Sequence, residues 1–277
     1  MLSYVPIPPE PTLSQISYQF EQALVAGRHP AIIPRKPDYN AWLESLYTAF
    51  ENQGEFFRFY PTNGQDRPSV VDSYPKDLEP WTEKSSAPTP GFIPLPPRKY
   101  YPLEEQIGRI LKGSGIGDGN THFKVGRGIS AKVFAKIYGC LKTNSASRFA
   151  ERLVDQIKGD SDLNFDGKFY ELMSFDSQNK LCLYVPFGDL PAVTSFLGNS
   201  AEYFHPVDFN HPVGVHLMPG ISAVIVAGKG GFDEIISNQL EKADTRSRQA
   251  FVSSAKKILG ESPTLRYHFD YLTRNGK

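Results

Sequence analysis

The chain has 277 residues, 22% of them charged, with 30 basic and 30 acidic side chains and a formal net charge of zero. That balance argues against a dedicated nucleic-acid binder, which carries a basic excess, although a local basic patch remains compatible with it. Two cysteines are too few for a disulfide framework, and the length suffices for one large or two smaller buried cores.

The chain opens on a Pro-rich stretch, MLSYVPIPPEP. Leu13, Ile16, Phe20 and Leu24 then mark one face of a helix, with Thr12 or Ser14 as its cap and Gly27 beyond its end. A second helix starts near Asp38, carries the stripe Trp42, Leu43, Leu46, Tyr47 and Phe50, and stops at Gly54. The run FFRFY at 56–60 reads as a short strand. Residues 1–60 are therefore expected to form a small helical lobe. From 61 to 99 prolines are interleaved with Ser, Asp and Lys, a density that sustains neither a helix nor a central strand. This is a linker or wrapping loop, and it sets the boundary of a second region, 100–277.

That region is more regular. Tyr101 to Lys112 predicts a helix, followed by the glycine-rich run GSGIGDG at 113–119. The strands THFKV (121–125) and AKVFAKIY (131–138) flank the turn Gly126-Arg127-Gly128. A helix capped by Asn144 or Ser145 presents Phe149, Leu153, Val154 and Ile157, and Gly159 stops it. Strands at 168–174 and 180–187 are joined by the polar turn Asp176-Ser177-Gln178-Asn179. A short helix after Asp189 turns Val193, Phe196 and Leu197 inward. A strand region from Val213 to Ala227, broken at Pro219-Gly220, leads into helices near 232–243 and 247–259. This order predicts an α+β fold, an antiparallel or mixed sheet with helices packed on one face, preceded by the helical lobe. Cys140 and Cys182 both fall in strand-like stretches and read as buried free thiols.

The first residues lack the basic and apolar regions of a secretory signal, and Ile221 to Ala227 is too short to cross a bilayer. The expected location is the cytoplasm, or export as an effector without a cleavable signal. Neither a membrane nor nucleic acid is an expected partner.

Chemistry concentrates in the two strands at 121–138. Alternate side chains share a face, so His122 and Lys124 fall together, as do Lys132, Phe134, Lys136 and Tyr138. If the two strands pair, His122, Lys124, Lys132 and Lys136 lie on one surface. Arg127 sits in the turn and Arg148 near the start of the next helix. Such a cluster suits a phosphate: lysines neutralise its charge, a helix N-terminus offers N–H groups, and a histidine donates or removes a proton. The plainer reading is a solvated strand face, since lysine is a common protector of sheet edges.

Other motifs offer less. GSGIGDG lacks the Gly-Lys-Ser/Thr of a phosphate-binding loop. His205, Asp208 and His211 sit in a loop stiffened by Pro206 and Pro212, and no further ligand completes a metal signature. No metal and no cofactor is expected. Ser114, Ser130 and Ser222 lack a nucleophile-elbow motif.

From about Asn120 to Leu240 the series THFKV, AKVFAKIYGCL, NSASRFAERLVDQI, GKFYELMSF, KLCLYVPFGDLPAVTSFLG and NHPVGVHLMPGISAV resembles the HopA-type family of type III secreted effectors. That family is related to phosphothreonine lyases and to the lyase domains that make lanthipeptides. The resemblance implies a metal-independent β-elimination of phosphate from phosphothreonine or phosphoserine. Lys124 would take the Cα proton, His122 would protonate the leaving phosphate, and Lys132, Lys136, Arg148 and Arg127 would hold it. The implied substrate is a phosphorylated peptide or protein, supplied by a partner kinase, in effector action or in peptide natural-product maturation. Effector lyases carry Lys-x-His on this strand, whereas this chain has His122-Phe123-Lys124. The same fold without the chemistry would be a peptide- or phosphopeptide-binding module.

Overall fold

The structure is a computed structural model that describes residues 12–26, 29–36, 38–53, 120–125, 133–142, 145–159, 164–170, 181–206, 214–227, 232–263 and 265–268; at 120–124 it describes the backbone. The predicted strand at 56–60, the Pro-rich stretch 61–99, the predicted helix at 101–112 and the run GSGIGDG lie outside these residues.

Helix α1, Leu13–Ala26, starts at a reciprocal cap. The Gln15 N–H donates to Thr12 Oγ1 at 3.3 Å, while Gln15 Oε1 accepts from the Thr12 N–H at 2.7 Å. Helix α2, Tyr39–Gln53, is capped by Asp38, whose carboxylate accepts from the Ala41 N–H at 3.0 Å. The elements that follow are β1 (Asn120–Val125), β2 (Val133–Gly139), α3 (Ala146–Gly159), β3 (Phe165–Tyr170), β4 (Leu181–Val185) and α4 (Leu190–Gly198). After them come β5 (Val215–Met218), β6 (Ile221–Ala227), α5 (Phe232–Leu240) and α6 (Arg248–Glu261).

The strands form one six-stranded sheet in the order β1-β3-β4-β2-β6-β5, antiparallel throughout. The hairpin expected between β1 and β2 does not form. β1 pairs with β3, and β2 runs between β4 and β6. Two strands therefore separate β1 from β2, which places them about 14 Å apart at the usual strand spacing. The hairpins β3–β4 and β5–β6 do form. At the tip of the second, Gly220 adopts φ +78, and a Cβ there would collide with the His205 carbonyl oxygen. Only glycine fits both that backbone and that approach.

Residues directly opposite in an antiparallel sheet share a face, so the register assigns each strand position to one of two sides. On the first side Val125, Phe165, Leu181, Leu183, Ala135, Ile137, Ala223, Ile225 and Leu217 are buried. They pack with Ile16, Phe20 and Leu24 of α1, Phe149 and Leu153 of α3, and Val193, Phe196 and Leu197 of α4. On the second side Cys182, Tyr138, Val224 and Val226 pack with Trp42, Leu43, Leu46 and Tyr47 of α2, Phe232 and Ile236 of α5, and Phe251, Ala255 and Leu259 of α6. Each fully buried Leu, Ile or Phe in these layers contributes about 2 kcal/mol of transfer free energy.

The fold is thus α+β, but the helices cover two faces where one was expected. The physical reason lies in β4 and β6: LCLYV and ISAVIVA are apolar on both parities, and a strand apolar on both sides needs cover on both. The first two helices are not set apart as a lobe either. α1 belongs to one apolar layer and α2 to the other, so residues far apart in sequence close the same sandwich. Both cysteines are free and buried, as the strand pattern implied.

Candidate functional site

The register lays out two rows of polar residues on the second side of the sheet. His122 stands opposite Lys168, Lys168 opposite Cys182, Cys182 opposite Tyr138, and Tyr138 opposite Ser222. In the neighbouring row Lys124 stands opposite Asp166, Asp166 opposite Tyr184, Tyr184 opposite Lys136, and Lys136 opposite Val224. His122, Lys124, Lys168 and Asp166 therefore share one corner, over β1 and β3. Among the described residues the helices on this side pack on Cys182, Tyr138, Val224 and Val226.

Lys136 is on the same face but in a different setting. It is 4% exposed, its Nζ lies 4.3 Å from the centre of the Tyr138 ring and 5.9 Å from that of Tyr184, and strands flank it on both sides. The rings stabilise the ammonium through their electron-rich faces. Neither the solvated-edge reading nor direct contact with a surface phosphate fits a lysine sealed in this way. Arg148 is exposed but belongs to α3, which packs on the first side of the sheet. The sheet thus stands between Arg148 and the polar rows. Arg127 and Lys132 lie outside the described residues.

The pairing of β1 with β3 introduces two residues that the sequence reading did not select. Lys168 and Asp166 are half-buried, and one carboxylate oxygen of Asp166 is enclosed. Their signal was present in FDGKFY, where Asp166 and Lys168 alternate with Phe165, Gly167 and Phe169. A strand expected to begin at Lys168 hid that alternation. In the register Asp166 stands opposite Lys124, so the corner carries an acidic position beside its basic ones.

The far end of the same face is polar but enclosed. His216 and Ser222 stand opposite each other and are both buried, as is His268, whose ring lies 5.3 Å from Phe232 and 6.5 Å from Tyr39. Burial raises the pKa of the Tyr39 phenol well above its ordinary value. No solvent reaches these groups, so they are read as interior polar residues. Of the loop residues weighed as metal ligands and set aside, His205 is described whereas Asp208 and His211 lie outside the described residues. Among the described residues no three of His, Cys, Asp and Glu gather as metal ligands. Among them, too, no helix is long and apolar enough to cross a membrane.

The chain is similar in structure to an effector protein from Pseudomonas syringae pv. tomato strain DC3000, with a TM-score of 0.39 and 13% identity over 91% of this chain and 87% of that one. It is also similar to an effector protein from Pseudomonas syringae pv. syringae strain 61, with a TM-score of 0.39 and 14% identity over 89% of this chain and 91% of that one. At that level the likeness carries nothing about chemistry. No protein-family model and no curated protein matches the chain.

Proposed function

We propose that the chain binds a phosphorylated peptide over β1 and β3 and removes phosphate from phosphoserine or phosphothreonine by β-elimination. The observation that supports this reading is the register, which sets the positions of His122, Lys124 and Lys168 on one sheet face, over β1 and β3. In the proposed step the Lys124 amine takes the Cα proton. The electron pair forms the Cα–Cβ double bond, the Cβ–O bond breaks, and His122 gives the leaving phosphate a proton. Lys168, in the row of His122, holds the phosphate charge. Acid–base assistance of this kind contributes about 10²- to 10⁴-fold in rate. The substrate must first be phosphorylated, so a kinase-type reaction precedes this one.

Asp166 favours a second reading. It occupies the register position opposite Lys124, and an acidic position beside Lys124, Lys168 and His122 suits a phosphopeptide-binding surface that performs no elimination. Mass spectrometry of phosphoserine and phosphothreonine peptides incubated with the protein, beside Lys124→Ala, separates the two. Loss of phosphoric acid to give a dehydro residue, abolished by the substitution, establishes the lyase. Unchanged peptides that still bind, with affinity lowered by the substitution, establish the binding module.

A further inference from the structure

The two edges of the sheet differ. On β5 the outer edge is occupied: the Ile33 N–H donates to the Leu217 carbonyl at 2.8 Å, the Arg35 N–H to the His216 carbonyl at 2.7 Å, and the His216 N–H to the Arg35 carbonyl at 2.8 Å. β1 ends the sheet on the other side, with β3 on its inner edge. Among the described residues no segment pairs with its outer edge. This edge strand carries both residues to which the proposed elimination assigns proton transfer.

An edge strand presents outward N–H and C=O groups at every second residue, and an extended peptide can take them up as one more strand. The geometry of such an addition is constrained. A residue that enters the row of His122 or Lys124 joins the polar side, within about 5 Å of it between Cβ atoms. Its two neighbours in sequence then fall on the first side, where positions 121, 123 and 125 belong and where Val125 is buried in the apolar layer. Charge also selects the occupant. Among the described residues the register sets the positions of His122, Lys124 and Lys168 at this corner beside that of Asp166, which suits a phosphorylated residue and disfavours a second copy of the same basic edge.

We propose that the phosphopeptide docks as an added strand on the outer edge of β1, with the phosphorylated residue in the row of His122 or Lys124 and apolar residues immediately before and after it. This rests on the phosphopeptide reading above and adds to it a substrate class: extended peptides whose phosphoresidue is flanked by apolar side chains.

The test uses the full chain and a fluorescent phosphoserine peptide at least as long as the six-residue strand, with binding followed by anisotropy. Each peptide amide is N-methylated in turn, which removes one donor and blocks one edge contact. Affinity is expected to fall about tenfold at alternate positions and to stay within about twofold at those between, the effect of losing single backbone hydrogen bonds. Glutamate at the residues flanking the phosphoserine is expected to weaken binding by a similar factor, whereas glutamate two residues away leaves it nearly unchanged. Sedimentation of the same samples shows whether a second copy takes the edge. A protein that binds the peptide but responds equally at every methylated position, or that is a dimer unaffected by peptide, overturns the added strand and leaves phosphopeptide binding standing. A protein that takes up no phosphopeptide overturns both.

Discussion

The two ends of the sheet are built differently. In the β5–β6 hairpin every residue of VHLM and ISAVIVA is buried, and the outer edge of β5 is closed by residues 33–35. In β3, at the other end, Phe165 and Gly167 are buried while Asp166 and Lys168 are half-open to solvent. Continuous apolarity belongs to a strand covered on both faces, and alternation to a strand with one solvated face. The difference locates stability at one end of the molecule and candidate chemistry at the other.

The widest test of that division is Lys124→Ala. Elimination is expected to fall by about 10²- to 10⁴-fold, the range of general-base assistance, with the urea midpoint unmoved, as suits a substitution at the polar end. A Lys124→Ala protein that loses its midpoint instead would assign the residue to the core. At the other end Leu217→Ala removes a fully buried side chain from β5 and is expected to cost about 2–5 kcal/mol in urea unfolding, with unchanged turnover per folded molecule. Lys136→Met decides to which end the buried lysine belongs. If it is an interior group, replacement by a side chain of similar volume changes stability by less than about 1 kcal/mol and leaves phosphopeptide affinity as it was. A marked loss of affinity would move Lys136 into the site.

The smallest expected effect is remote from both ends. Arg246 hydrogen-bonds the Asp244 carboxylate, from Nε at 3.0 Å and from Nη2 at 2.6 Å, and lowers its pKa to about 2. The folded value is depressed, so this contribution is complete above the unfolded carboxylate range and disappears as pH falls through about 2. Asp244→Asn should therefore flatten the acid limb of the stability–pH curve slightly, and a curve unchanged between pH 5 and 2 would show that the pair contributes nothing. The pair is exposed and screened by solvent, which keeps the effect small.

Much of this molecule was legible from local pattern. The stripes Ile16-Phe20-Leu24 and Trp42-Leu43-Leu46-Tyr47 named the buried faces of the first two helices, and Pro219-Gly220 marked the turn between β5 and β6. Parity also placed His122 with Lys124, and Lys136 with Tyr138. These features are local, set by a period of 3.6 or 2 and by the backbone freedom of single glycines, and a chain carries them wherever it folds.

Pairing is not local. A strand apolar on one parity offers its edge equally to any neighbour of matching pattern, and nothing in THFKV prefers FDGKFY over VFAKIYG. The tertiary structure chose β3, and with that choice set Lys168 and Asp166 at register positions beside the catalytic candidates and left Lys136 three strands from β1, against the Tyr138 and Tyr184 rings. The sequence by itself determined which residues share a strand face. Only the folded sheet decided which strands lie side by side, because that depends on how both apolar faces of β4 and β6 are covered at once.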